Sequence, residues 1–193
     1  MSEQPSIATG APLNADTWAD FVQRLRHDCV GEGVRDHYTA DAIFLVQARR
    51  YTYGIDNDYG GETVACVEDS IYTSPSDFYE RELDDNGRRS LDAEATEHGS
   101  PNFLSLSTWM QWELIGVLDG VTVTGRRSYW QYVCAHFTKD AAEAFIRRKA
   151  HDYRDGLRVY VEAQSYSWEY NAIKAAILDG RLTFAAASIG PTP

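Results

Sequence analysis

Cysteine is scarce in this chain: Cys29, Cys66 and Cys134 are the only three in 193 residues. An odd, sparse set offers no disulfide framework, so we expect reduced thiols that behave as small hydrophobes. Lysine is as rare. Lys139, Lys149 and Lys174 stand against 15 arginines, which leaves few ammonium groups for Schiff-base or phosphate chemistry. There is no run of about 18 apolar residues, so no membrane span is expected. Met1 to Ala15 hold neither a basic region nor an apolar stretch, which argues against an export signal and for a cytoplasmic protein. With 14 glycines and 6 prolines, a collagen-like or low-complexity chain is excluded. Nor is there a G-x-S-x-G, a P-loop or a G-x-G-x-x-G. We therefore assign no catalytic residue, metal or cofactor.

What the chain does have is apolar content and segregated charge. Hydrophobic residues make up 44% and aromatics 12%, ample for a packed core without staples. The net charge is −11. Residues 1–100 hold 20 acidic and 8 basic side chains, whereas 101–193 hold 9 and 10. The excess is densest from Asp56 to Glu97, where 13 acids face only Arg81, Arg88 and Arg89. Charge of one sign at this density repels itself and costs folding stability. Such a stretch is either a solvated surface or the face shown to a positive partner.

The pattern along the chain reads as α+β: a small mixed or antiparallel sheet with helices packed mainly on one face. Residues 1–14 are expected to be a flexible arm and 15–100 an acidic α+β part. Residues 101–184 follow as a β-β-α-β-α part, and 185–193 as a frayed tail. Trp18, Phe21, Val22 and Leu25 fall at helical spacing, with Asp16 or Thr17 as the cap and an end near His27. Ala42 to Tyr53 is a strand, and Thr63 to Val67 a second one antiparallel to it. Ser74-Pro75 starts a short helix. Residues 84–101, rich in Asp, Glu, Asn, Gly and Ser, read as a mobile acidic loop with one helical turn near Leu91. Helices are expected over 108–118, 139–153 and 168–178. Strands are expected at 129–137 and 157–161, with Gly125-Arg126-Arg127 as a turn.

Candidate chemistry is thin. His27, Cys29 and His37, with Cys66 or Asp28, do not match a tetrahedral ligand framework. Asp56, Asp58 and Glu62 approach a calcium loop, with Gly61 at position 6, but the required glutamate falls one residue late, at Glu68. We read this as a turn with scattered acids. Arg126-Arg127 and Arg147-Arg148-Lys149, with Trp130, Tyr166, Trp168 and Tyr170, are what a nucleic-acid-binding reading would use. A half with net charge +1 does not favour it. An enzyme with an unrecognised site would centre on His136 or His151, given a buried carboxylate partner.

His37-Tyr-Thr-Ala-Asp-Ala-Ile-Phe-Leu-Val-Gln47 followed by Tyr53-Gly-Ile-Asp56 resembles the N-terminal part of small accessory proteins carried by phages, prophages and plasmids. Ala135-His-Phe-Thr-Lys-Asp-Ala-Ala-Glu-Ala-Phe-Ile146, with His151-Asp152-Tyr153 and Leu157-Arg-Val-Tyr160, resembles their C-terminal strand-helix-strand. His151-Asp152-Tyr153 departs from the His-Asn-Leu of that group. The resemblance implies no reaction. By analogy with other mobile-element products, it implies an anti-defence protein, anti-CRISPR-like or antirestriction-like, in a bacterial host cytoplasm. The expected partner is a basic protein surface on a CRISPR effector subunit or restriction enzyme. Asp56, Asp58, Glu62, Asp77, Glu80, Glu82, Asp84 and Asp85 would meet its arginines and lysines. Tyr59, Tyr72, Phe78 and Tyr79 would anchor the contact. A homodimer stays open.

Overall fold

A computed structural model of the chain describes residues 5–56 and 61–185. In chain order its elements are α1 (Ala15–Val30), β1 (Ala42–Ile55), β2 (Glu62–Val67), β3 (Ser70–Tyr72), α2 (Pro75–Arg81), α3 (Asp85–Glu97), α4 (Thr108–Gly116), β4 (Thr122–His136), α5 (Lys139–Lys149), β5 (Leu157–Ala163) and α6 (Trp168–Leu178). The fold is α+β, and its five strands form one antiparallel sheet in the order β3-β2-β4-β1-β5. The chain divides into two compact units: residues 1–50 with 130–193, and residues 51–129. Both divisions fall inside long strands, β1 and β4, and residue 100 lies within the second unit.

In the first unit, β1 pairs antiparallel with β5, from Ala42 opposite Ala163 to Ala48 opposite Leu157. Alternation along β1 sends Phe44, Val46 and Ala48 to one face, where all three are buried. Thr138 caps α5, whose Ala142, Phe145 and Ile146 fall at i, i+3 and i+4 and close over that face with Val159 and Val161. The cap of α1 is Asn14, neither Asp16 nor Thr17. Its carboxamide accepts from the Thr17 amide at 2.9 Å, while the Thr17 hydroxyl accepts from the Asn14 amide at 2.9 Å.

The described part of the expected arm is docked. Ser6 is buried and donates to Asp20 at 2.7 Å, next to a 3₁₀ turn over Ile7–Thr9. Arg24 then bridges Asp20 and Asp140, joining α1 to α5. Asp28, 6% exposed, makes a second tie: its carboxylate accepts from the Lys139 amide at 2.8 Å and from the His27 ring at 3.0 Å. Lys174 of α6 is buried, with Asp41 at 3.1 Å and the Tyr170 ring beside it.

In the second unit, β2 pairs with β3 and with β4, both antiparallel, and not with β1 as expected. β4 runs straight through Gly125-Arg126-Arg127, because Gly125 and Arg126 face Thr63 and Glu62 across the ladder. The stretch read as a mobile acidic loop is α3, with Leu91 and Ala95 one turn apart on its buried side. Helix α5 ends at Lys149, shorter than expected, and a 3₁₀ turn follows. The core gathers Ala65, Tyr72, Phe78, Leu91, Phe103, Leu114 and Ile115, with Tyr79 stacked on Phe103 at 5.2 Å.

Candidate functional site

The acidic surplus coincides with one compact unit. Residues 51–129 hold 15 acidic and 5 basic side chains, net −10, whereas the other unit holds 14 and 13. Asp56, Glu62, Glu80, Glu82, Asp84 and Asp85 are exposed and Asp77 is half-buried. Four of them, Glu80 to Asp85, crowd the junction of α2 and α3. Local chemistry explains their order. Asp77 sits in the first turn of α2, 3.2 Å from Arg81. Asp84 caps α3, accepting from the amides of Asn86 and Gly87 at 3.1 and 2.7 Å.

The arginines between them cancel this charge only in part: besides Arg81 on Asp77, Arg88 comes within 3.8 Å of Asp85. Arg88 turns back onto the carbonyls of Leu83 and Glu80, and Arg89 donates to the Asp85 carbonyl and the Asn86 side chain. Both guanidinium groups thus also satisfy carbonyls at the helix junction, leaving Glu80, Glu82 and Asp84 without an ion pair among the described residues. Glu62 is paired with Arg126 at 2.9 Å. Asp58 and Tyr59 lie outside the described residues.

Two of the expected aromatic anchors, Tyr72 and Phe78, are a correction. Phe78 is 0% exposed and meets Tyr72 edge-on at 5.3 Å, so both belong to the core. Tyr72 donates its hydroxyl to Glu82. Tyr79 is held from behind as well, donating to Asp92 at 2.9 Å, and burial with that carboxylate pushes its hydroxyl pKa up. The most exposed apolar groups of this unit lie on and just after α4, ahead of Tyr129, Leu104, Ile71 and Tyr53. Trp109 is 65% and Val117 81% exposed, beside a cleft of about 670 Å³ that also touches Thr63, Trp112, Glu113 and Val123. The signal was present in the spacing. Gln111, Leu114 and Ile115 form the buried stripe, and Trp109, Glu113 and Val117 recur at i, i+4, i+8 away from it.

The remaining candidates do not assemble. His37 is occupied at both ring nitrogens: Nε2 donates to the Asp28 carbonyl at 3.0 Å and Nδ1 accepts from the Thr39 amide at 2.9 Å. It has no lone pair left for a metal. Among the described residues no three His, Cys, Asp or Glu side chains converge on a metal position. His151 is exposed beside exposed Asp152. The imidazole of His136 lies 3.2 Å from the Cys134 thiol, near a cleft of about 300 Å³ lined by Ile7, Phe21 and Phe137. Burial raises the thiol and, with Arg148, lowers the imidazole. The pair is thus held as neutral thiol and neutral ring, the reverse of an activated thiolate–imidazolium pair.

Arg126 lies over Tyr51 at 4.3 Å, while Arg147 is 3.9 Å from Glu143 and Arg148 lies over Phe145. Tyr170 stacks on Phe137 and donates to the Ala42 carbonyl at 2.8 Å. Tyr166 and Trp168 are exposed. No helix among the described residues is long and apolar enough to cross a membrane.

The chain matches no protein-family model, no curated protein and no solved structure. Its reading therefore rests on its own geometry and charge.

Proposed function

We propose that this chain is a non-enzymatic inhibitor of host defence, of the kind mobile elements carry, that occupies a basic, nucleic-acid-handling protein surface with its acidic unit. The observation that carries this reading is the partition of charge: a unit of 79 residues holds −10 of the total −11. Duplex DNA presents about one charge per 1.7 Å, and a carboxylate-dense surface releases the same condensed counterions from a cationic groove. Carboxylates on the helix junction set the encounter rate, while apolar contact supplies most of the affinity. In the second unit Trp109 and Val117 are the most exposed apolar groups and supply it best.

The test is capture of bacterial lysate proteins on the immobilised chain, with mass spectrometry, followed by affinity measurement against the captured CRISPR or restriction subunit. Affinity is expected to fall at least tenfold between about 50 and about 300 mM salt. A variant carrying Asp56→Asn, Glu80→Gln, Glu82→Gln, Asp84→Asn and Asp85→Asn keeps the cap at α3 and the acceptor for Tyr72. It should lose most of the binding at low salt. Undiminished binding by this variant, or affinity flat across salt, ends the proposal.

A further inference from the structure

The first unit carries a second surface, built from strand alternation rather than net charge. Phe44, Val46 and Ala48 of β1 point into the core, so Leu45, Gln47 and Arg49 point to the opposite face of the sheet, which is covered at Leu45, half-covered at Gln47 and exposed at Arg49. The β1–β5 register sets Tyr160 opposite Leu45 and Arg158 opposite Gln47, which adds both to that face. β4, the other neighbour of β1, adds Trp130. The Arg158 guanidinium lies 4.2 Å from the Trp130 ring centre and 5.3 Å from that of Tyr160, and the Arg49 guanidinium lies 5.1 Å from Trp130. Two donors of Arg158 converge on the Gln47 carbonyl oxygen at 2.9 and 2.8 Å, which fixes the plane of the guanidinium. Tyr132, two residues along β4 from Trp130, is 59% exposed and Tyr160 is 44% exposed.

Among the described residues neither Arg49 nor Arg158 has a carboxylate ion partner, in a molecule where acids outnumber bases. Glu162 is the acid that alternation places on the same face, opposite Ile43 at its far end. Three aromatic side chains and two arginines, spread over three adjacent strands, with Arg49, Tyr132 and Tyr160 exposed and Trp130 and Arg158 half-buried, offer π-faces and planar donors together. That pairing suits unstacked bases and their phosphates. Duplex keeps its bases stacked inside and cannot use such rings.

We infer that this face of the sheet binds single-stranded nucleic acid, with bases stacking on Tyr132 and Tyr160 beside the Trp130 ring and phosphates meeting Arg49 and Arg158. The inference is independent of the acidic unit. It also explains why composition did not disclose the surface: the unit as a whole is near neutral, and its arginines are placed rather than numerous.

The test uses the full chain and fluorescein-labelled oligothymidylate and oligouridylate, with a duplex of the same length, read by fluorescence anisotropy at low salt. Binding of the single strands in the micromolar range, with the duplex much weaker, is expected. Tyr132→Ala and Tyr160→Ala should each weaken it by about tenfold, since stacking on one aromatic is worth roughly that much or more. Both side chains are exposed enough to remove without emptying the core, and circular dichroism checks the fold. Arg158→Lys, which keeps the charge and loses the plane, should also weaken binding, while Trp168→Ala should not. The carboxylate-to-amide variant of the acidic unit should bind the oligonucleotide equally or more tightly, so the two proposals fail separately. Absence of binding, equal binding of duplex, or unchanged affinity in both tyrosine variants overturns the inference. So does equal displacement by poly-glutamate, which would mark a surface for acidic protein.

Discussion

Phe78→Ala is expected to unfold most of residues 51–129. Phe78 is fully enclosed, meets Tyr72 edge-on and is one of only two buried residues on α2. A helix of seven residues has no stability of its own and exists because that ring is buried. Truncating a buried phenylalanine costs about 3–5 kcal/mol, a large share of the 5–15 kcal/mol that holds a typical domain. Hydrogen exchange on the full chain should show lost protection across β2, β3, α2 and α3. A variant that keeps wild-type protection but loses partner affinity would instead restore Phe78 as a surface anchor and sink the core assignment. The expected loss of protection follows from packing alone and holds whatever the protein binds.

The second large effect centres on Asp28. Its carboxylate closes the N-terminus of α5 through the Lys139 amide and reaches the His27 ring from α1. Asp28→Ala leaves a partly buried amide without its charged acceptor and should cost about 3 kcal/mol. Asp28→Asn retains an oxygen for Lys139 and should cost less. The same contact carries a pH signature. The hydrogen bond to Asp28 holds the His27 imidazole above its ordinary range. A raised pKa in the folded state means the contribution is complete below about 6.5 and is lost as pH rises through the folded value. Wild type should therefore exceed His27→Gln in urea midpoint by more at pH near 5.5 than at pH near 9, and Asp28→Asn should erase that difference. An identical margin at both pH values would show that the exposed ring contributes nothing.

Much of the fold was legible where a stripe is wide. α6 has the predicted bounds, Trp168 to Leu178, because its apolar residues repeat over three turns and Asp179-Gly180 stops them. β1 was legible from its double-sided apolar start. α3 was not, since its packing rests on little more than Leu91 and Ala95 in a sequence of polar residues, and tertiary contact overrides that composition. β3 was missed because its hairpin turns on Glu68-Asp69. Glu68 takes φ +48° without the glycine or asparagine that announces such a turn. The pairing of β2 with β4 joins residues about sixty apart, which no local pattern encodes.

At the candidate surfaces, sequence located charge but not exposure. The carboxylates could be counted, whereas the aromatics between them looked like anchors until burial assigned them to the core. The Trp130 face depends on a register between β1 and β5 that is invisible to periodicity.

That register also dictates an order of events during synthesis. Phe44 and Val46 emerge from the ribosome more than a hundred residues before Val159 and Val161, their partners across the ladder. At about 5–20 residues per second this is a wait of roughly ten seconds. β4, the other neighbour of β1, is complete some twenty residues before β5 begins, so the β5 edge of this apolar strand stays open throughout that interval. A holdase chaperone that shields segment 42–48 should therefore raise the yield of soluble product more than one that acts after release.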